Sequence, residues 1–248
     1  MSFVRTIRNL LRTLAAHWPF PVKATLATGQ TCYVDLRSAV GRGLFATGAN
    51  DPAIGNLIEN CLRGQNGIFI DGGAHLGSFS LLALHAMRDG EAHAFEIGER
   101  VLPCLRLNRE VTGSRLVVHE VALGAEAATL RLSESADPGH THISRGEGGK
   151  EREIPVRPLD SFLPEFGTRR VRMIKLDVEG FESQVLQGAR ELLSVHRPTV
   201  VCEVVPALMA SYGASDSAMV QYMESLGYTC HELEGAWDRN FVFTPRAG

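Results

Sequence analysis

Apolar positions change their spacing repeatedly along this chain, and the changes mark out its elements. Ile68-Phe69-Ile70 is an uninterrupted apolar run of the kind a strand buried on both faces needs. Residues 78–87 follow the helical period, 91–96 return to a strand, 99–111 read as helix and 116–119 as strand. The alternation resumes with a strand at 171–176, a helix at 182–193, a strand at 199–205 and a helix at 217–226. Strands at 228–233 and 240–243 close it. Between the two halves lies a β-rich insertion, 128–132 and 152–157, around a polar loop at 133–150. Strands alternating with helices predict an α/β fold, a doubly wound and mostly parallel sheet with helices on both faces.

Upstream of residue 60 the pattern differs. Phe3, Ile7, Leu10, Leu11 and Leu14 recur at helical spacing, with Arg5, Arg8 and Arg12 on other faces. This predicts a helix that packs on protein, its own domain or a second subunit of a homodimer, with an anionic membrane surface as the alternative. Residues 23–36 alternate loosely around Thr28-Gly29-Gln30 and predict a hairpin. Residues 37–51 carry Gly, Asn and Asp and read as loop, and 52–63 read as a helix capped by Asp51 with Pro52 in its first position. The expected organisation is an N-terminal extension over 1–60 and one domain over 61–248.

Composition narrows the function classes. Lys and Arg number 25 against 28 Asp and Glu, so a net charge of −3 gives no general pull toward nucleic acid. Five cysteines, widely spaced and without C-x-x-C, argue against a disulfide framework and against structural zinc, and fit a reducing cytoplasm. No apolar run approaches the ~20 residues of a membrane span. The run after Arg12 is also too short for the core of a signal peptide.

The candidate chemistry sits at strand ends. Asp71-Gly72-Gly73-Ala74-His75-Leu76-Gly77 is a glycine-rich turn between a strand and a helix, where doubly wound folds bind ligands. Asp71 can bond an amino group or order the turn. Glu96 ends the next strand 25 residues later and can accept both ribose hydroxyls of a nucleoside or cap the following helix. G-x-G-x-x-G spacing is absent, which disfavours a nicotinamide dinucleotide. Asp177 ends the fourth parallel strand, and Lys175 shares its face, so an ion pair of Lys175 with Asp177 or Glu203 is expected. Asp177 and Glu179 are the candidate catalytic carboxylates, and Glu203 is a further acid for positioning a substrate. Glu182, in the first turn of a helix, has a sufficient structural role there. His140 and His142 alternate in the insertion loop, and His142 is a candidate general base. No metal site is expected.

Asp71 to Ser80, then Phe95-Glu96, then Ile174-Lys175-Leu176-Asp177-Val178-Glu179-Gly180-Phe181-Glu182 resemble the FkbM-type methyltransferases. Val121-Ala122-Leu123-Gly124, Leu159-Asp160-Ser161-Phe162, Val185 to Ala189 and Pro198 to Glu203 extend the likeness, which covers residues 67–205. The resemblance implies a class I methyltransferase fold that moves the methyl group of S-adenosylmethionine, commonly onto a hydroxyl of a sugar or secondary metabolite. Asp71, Gly73, His75, Gly77, Glu96 and Ala122 are then the expected cofactor contacts. The family usually has a branched residue where Gly72 stands and Asn where His75 stands. A nucleotide-dependent oxidoreductase and a catalytically silent assembly subunit are the competing readings. The acids kept at three strand ends weigh against the silent one.

Overall fold

The computed structural model describes residues 17–133 and 151–246. The expected helix at 3–16, and His140 and His142 in the insertion loop, lie outside the described residues.

The chain begins with an antiparallel hairpin, β1 (Val22–Thr25) and β2 (Thr31–Val34), as the alternation predicts. The loop expected at 37–51 is in fact mostly helix, α1 (Ala39–Thr47). Ser38 accepts the Gly41 N–H at its start, and the Gly48 N–H closes its end on the Leu44 carbonyl. Gly41 also lies so close to the Asp35 carbonyl that no side chain would fit, so a residue that reads as a loop former serves close packing instead. Next comes α2 (Pro52–Leu62), where the Asp51 carboxylate takes the Ala53 and Ile54 N–H groups, the cap expected from sequence.

The central elements are β3 (Asn66–Gly72), α3 (Ser78–Ala86), β4 (Asp89–Phe95), α4 (Leu102–Thr112) and β5 (Leu116–His119). The insertion forms a separate sheet from β6 (Ala122–Leu123), β7 (Ala128–Ser133) and β8 (Glu151–Arg157), in the order β6-β8-β7. After a short helix, α5 (Leu163–Phe166), come β9 (Val171–Leu176), α6 (Glu182–Gln187) and α7 (Arg190–His196). The single helix expected at 182–193 is therefore two. The Asp160 carboxylate accepts the Glu191 and Leu192 N–H groups and so starts α7 afresh. The chain ends with β10 (Thr199–Glu203), an unanticipated short helix α8 (Pro206–Ser211), α9 (Asp216–Ser225), β11 (Tyr228–Glu232) and β12 (Asn240–Pro245).

The main sheet has seven strands in the order β11-β12-β10-β9-β3-β4-β5. Its five core strands are parallel, and β12 joins β10 antiparallel. The chain runs outward from β3 through β4 to β5 and then returns to the other side of β3 as β9. The carboxyl ends of β3 and β9 therefore flank the switch in strand order, where crevices open in such sheets. Alternating β3 side chains feed both layers: Ile68 and Ile70 pack with Val185, Leu192 and Tyr228, while Phe69 packs with Ile58, Ala83 and Leu105. A third apolar cluster joins the hairpin to the domain through Val34, Leu44, Leu76, Leu81 and Cys104. Asn108 ties them further, exchanging hydrogen bonds with the Tyr33 backbone and donating to the Leu76 carbonyl.

Two imidazoles face each other on neighbouring strands, His93 buried on β4 and His119 part-buried at the end of β5. His93 Nδ1 and His119 Nε2 lie 3.0 Å apart, and the His119 ring stacks on Phe95. Burial, reinforced by Arg169 at His93 and by the neighbouring imidazole at His119, pushes both pKa values down to about 4. Their folded values lie below the ordinary 6.5, so the stability they contribute is present above pH 6.5 and lost as pH falls toward 4. Each imidazole is expected to steepen the loss by up to ~1.4 kcal/mol per pH unit. Urea unfolding between pH 4 and 7 checks this. His119→Phe, which keeps the stacking, should flatten the slope, and an unchanged slope would remove the pair as its source.

Candidate active site

Two turns meet at the carboxyl ends of β3 and β9. In the first, Gly73 (φ 70°) donates its N–H to the Phe95 carbonyl. A Cβ on Gly73 would overlap the Asp177 carbonyl oxygen, so the two turns approach to a distance that only glycine allows. His75 (φ 53°) and Glu179 (φ 55°) hold left-handed backbone that is costly for residues with side chains, one in each turn. Gly77 (φ 78°) takes the N-cap position of α3, where no side chain caps the helix's first N–H groups.

Asp71 is fully buried beneath the first turn, with Ser80 Oγ donating to its Oδ2 at 2.6 Å and Lys175 Nζ 3.7 Å from its Oδ1. Of the two roles open to it from sequence, its surroundings match the ordering of the turn. It presents no surface to a ligand. Lys175, only 4% exposed, is the hub: Nζ donates to the Gly73 carbonyl at 3.1 Å and to Asp177 Oδ2 at 3.3 Å, with the Phe79 ring 5.5 Å away. Of the two expected ion pairs, Lys175–Asp177 is the one that forms. Burial opposes the Lys175 charge, but the Asp177 and Asp71 carboxylates outweigh it and raise its pKa. Burial raises the pKa of Asp71, which Lys175 and Ser80 only partly offset.

Asp177 keeps 39% of its side chain exposed, unlike Asp71. Burial of its remainder acts against ionisation, but Lys175 and a hydrogen bond from Glu203 hold its pKa below the ordinary carboxylate value. Glu203 ends the neighbouring strand β10. Desolvation and the Asp177 charge push its pKa up to about 9, so at neutral pH it is the protonated member and donates to Asp177. Sequence spacing left Glu203 secondary, since only the adjacency of β9 and β10 brings the two acids together. Glu179 lies part-buried on the same turn as Asp177. Glu182 turns inward, accepting the Val178 and Gly180 N–H groups, and burial lifts its pKa to about 7.

Glu96 is placed differently from a helix cap. Its Oε2 accepts the His75 N–H at 2.7 Å, and its Oε1 accepts the Ile97 and Gly98 N–H groups, each at 2.7 Å. The next helix starts only at Leu102. Three bonds fix the carboxylate but leave lone pairs on a part-exposed side chain. His75 Nδ1 is buried with no hydrogen-bond partner, and burial holds the ring neutral despite Glu96 and Asp177 nearby. Ala122 opens β6, part-exposed between buried Val121 and Leu123. Among the described residues no group of three or more His, Cys, Asp or Glu could hold a metal ion, and no helix is long and apolar enough to cross a membrane.

Against known proteins, the Methyltransferase FkbM domain model matches residues 71–230. A curated relative, "Methyltransferase 1" of Beauveria bassiana, is 26% identical over 146 residues, which is 50% of this chain and 59% of the relative. This chain thus spans little more than half that relative's length. Among solved structures, Methyltransferase FkbM from Methylobacillus flagellatus KT superposes with a TM-score of 0.48 at 20% identity, covering 72% of this chain and 43% of that one. A precorrin-6y C5,15-methyltransferase from Geobacter metallireducens GS-15 gives 0.47 at 15% identity, covering 87% and 97%. With the matched domain spanning both site turns, the end of the first parallel strand and the whole of the other four, the chain belongs to the FkbM methyltransferase family.

Proposed function

We propose that the chain transfers the methyl group of S-adenosylmethionine to a hydroxyl oxygen of a sugar or secondary-metabolite acceptor. The observation that carries this reading is the Asp177 carboxylate: ionised, part-exposed, and fixed at the switch point by Lys175 beneath it and a protonated Glu203 beside it. The cofactor fits the residues present. Backbone close to glycine lines the first turn, His75 Nδ1 is an orphaned buried polar atom, and Glu96 retains acceptor capacity for a ribose diol. When bound, the cofactor supplies an electrophilic methyl group on a sulfonium.

The protein's own part is alignment and proton removal. Asp177 orients the acceptor hydroxyl and accepts its proton as the oxygen attacks. Lys175 keeps that carboxylate charged and ties it to the Gly73 carbonyl, so the acid and the cofactor turn stay in register. Glu203 and Lys175 both bond Asp177, and the exposed part of its carboxylate is left for the acceptor. His142 is a second candidate for the proton, and Glu179 for contacts to the acceptor. We further read residues 61–248 as the methyltransferase unit, acting in the cytoplasm.

Calorimetry with S-adenosylmethionine tests the cofactor half. Glu96→Ala is expected to weaken binding by ~1.5–3 kcal/mol, the scale of a hydrogen bond to a charged group. Because Glu96 also grips three backbone N–H groups, Glu96→Gln, which still offers one acceptor oxygen, should fall between. Unchanged affinity in both folded variants would take Glu96 out of the cofactor site, and saturable binding of NAD instead would favour the oxidoreductase.

A further inference from the structure

The alternation of side chains along the strands decides which elements stand over the acid pair. Phe69, Met173, Val201 and Val242 pack under Ile54 and Ile58 of α2. Lys175, Glu203 and Asn240, each two residues from one of these, share that face, and Lys175 and Glu203 hold Asp177 to it. The segment entering α2 lies at the same edge of the sheet. There the Asn50 amide donates to Ser78 Oγ at the start of α3, and Asp51 Oδ2 accepts the Trp237 N–H at 2.5 Å. Trp237 belongs to the loop joining β11 to β12, which meets the carboxyl end of β10: Asn240 pairs with Glu203, and the Val204 N–H donates to the Arg239 carbonyl. The acids therefore open beside a wall made of residues 50–51 and the 233–239 loop.

Trp237 is the exposed aromatic residue of that wall, 63% exposed although its backbone is pinned. An indole left in water on a fixed backbone is a ready surface for another ring. The polar groups around it are already engaged. Asp51 spends Oδ1 on the Ala53 and Ile54 N–H groups and Oδ2 on Trp237, and the Arg239 guanidinium is held by Glu232 and Asp216. Asp238 adds an exposed carboxylate whose charge reaches Glu203. A hydroxyl-rich ligand thus finds few free partners on this wall, and an anionic one meets Asp238 and Asp177. Strands ~4.8 Å apart put β12 about 10 Å from β9, so a molecule touching both Asp177 and the indole is longer than one ring. We infer that Trp237 selects the acceptor, and that the acceptor is a neutral fused-ring phenol, with its hydroxyl at Asp177 and its far ring against the indole. The inference rests on the methyl-transfer reading and narrows its acceptor.

The probes are 2-naphthol and 6-hydroxy-2-naphthoate, the same rings with an anion at the far end. Each is titrated into the isotope-labelled full chain in the presence of S-adenosylhomocysteine. Trp18 and Trp237 are the two tryptophans of the chain and give two indole N–H resonances, assigned with Trp18→Phe. 2-Naphthol should shift the Trp237 resonance saturably and leave that of Trp18, itself 51% exposed, in place. The naphthoate should bind about tenfold more weakly. By calorimetry, Trp237→Ala should weaken 2-naphthol binding about tenfold and Trp237→Phe should restore most of it. Neither variant should change the affinity for S-adenosylhomocysteine. An unmoved Trp237 resonance, equal shifts at both tryptophans, equal affinity for the naphthoate, or unchanged 2-naphthol binding in Trp237→Ala overturns the inference. S-adenosylhomocysteine that fails to bind overturns the methyl-transfer reading as well, so the two failures are told apart by calorimetry.

Discussion

Asp177→Asn is expected to lower kcat by ~10²–10⁴-fold, the usual cost of losing a general base, with S-adenosylmethionine affinity nearly unchanged. The selectivity follows from position. Asp177 stands at the end of β9 with an exposed oxygen, whereas the expected ribose acceptor, Glu96, ends β4 on the other side of β3. The loss should appear in kcat because orienting and deprotonating a hydroxyl act mainly in the transition state. Glu203→Gln sharpens the prediction, since an amide can replace the acid as donor to Asp177 and the rate near pH 7 should survive. In the unaltered protein the proton on Glu203 is lost near pH 9, placing two like charges side by side. The rate profile should therefore bend near that pH and lose the bend in Glu203→Gln. If Asp177 serves only as an ion-pair partner of Lys175, Asp177→Asn will instead lower the melting temperature and leave turnover per folded molecule near normal. Both measurements on one preparation decide it.

Lys175→Met is expected to be the most destabilising single change at the site, by ~3–5 kcal/mol, because it leaves a buried charge without its partner. Lys175 and Asp71 are both almost wholly buried, so little solvent screens the loss. For a protein of this size that corresponds to a fall of roughly 6–20 °C in melting temperature. The pH dependence separates a charge effect from a packing effect. The raised pKa of Lys175 contributes stability that is present below 10.5 and lost only as pH rises through the higher folded value. The lowered pKa of Asp177 contributes stability present above 3.8 and lost as pH falls through its folded value. The gap between Lys175→Met and the unaltered protein should thus be widest between about pH 4 and 10 and shrink in acid. In acid Asp71, whose pKa burial already raises, also becomes neutral. A gap independent of pH would mean that the side chain matters only for its volume.

Local pattern by itself determined the α/β class, the parallel strands to within two residues at each end, the Asp51 cap and the glycine turn, because strand periodicity, capping and turn chemistry act within a few residues. The motif around Asp177 was legible too, through its alternation with Lys175. Where pattern and structure part, a distant contact is the reason. Residues 37–51 look like a loop until the Asp35 carbonyl takes the place of a side chain at Gly41, and the helix after β9 breaks because Asp160, from an earlier segment, caps its second half. The site shows the same division. The sequence offered Asp71, Lys175, Asp177 and Glu203 as separate acids and a base at three strand ends. Only the strand order, with β9 between β3 and β10, puts Asp71 under Lys175 and Glu203 against Asp177. Burial then divides their chemistry: a sealed carboxylate at Asp71, an acid at Glu203 whose pKa is pushed up, and at Asp177 a part-exposed carboxylate that Lys175 keeps charged. Neither adjacency nor desolvation is written in local spacing, since both depend on segments far apart in the chain.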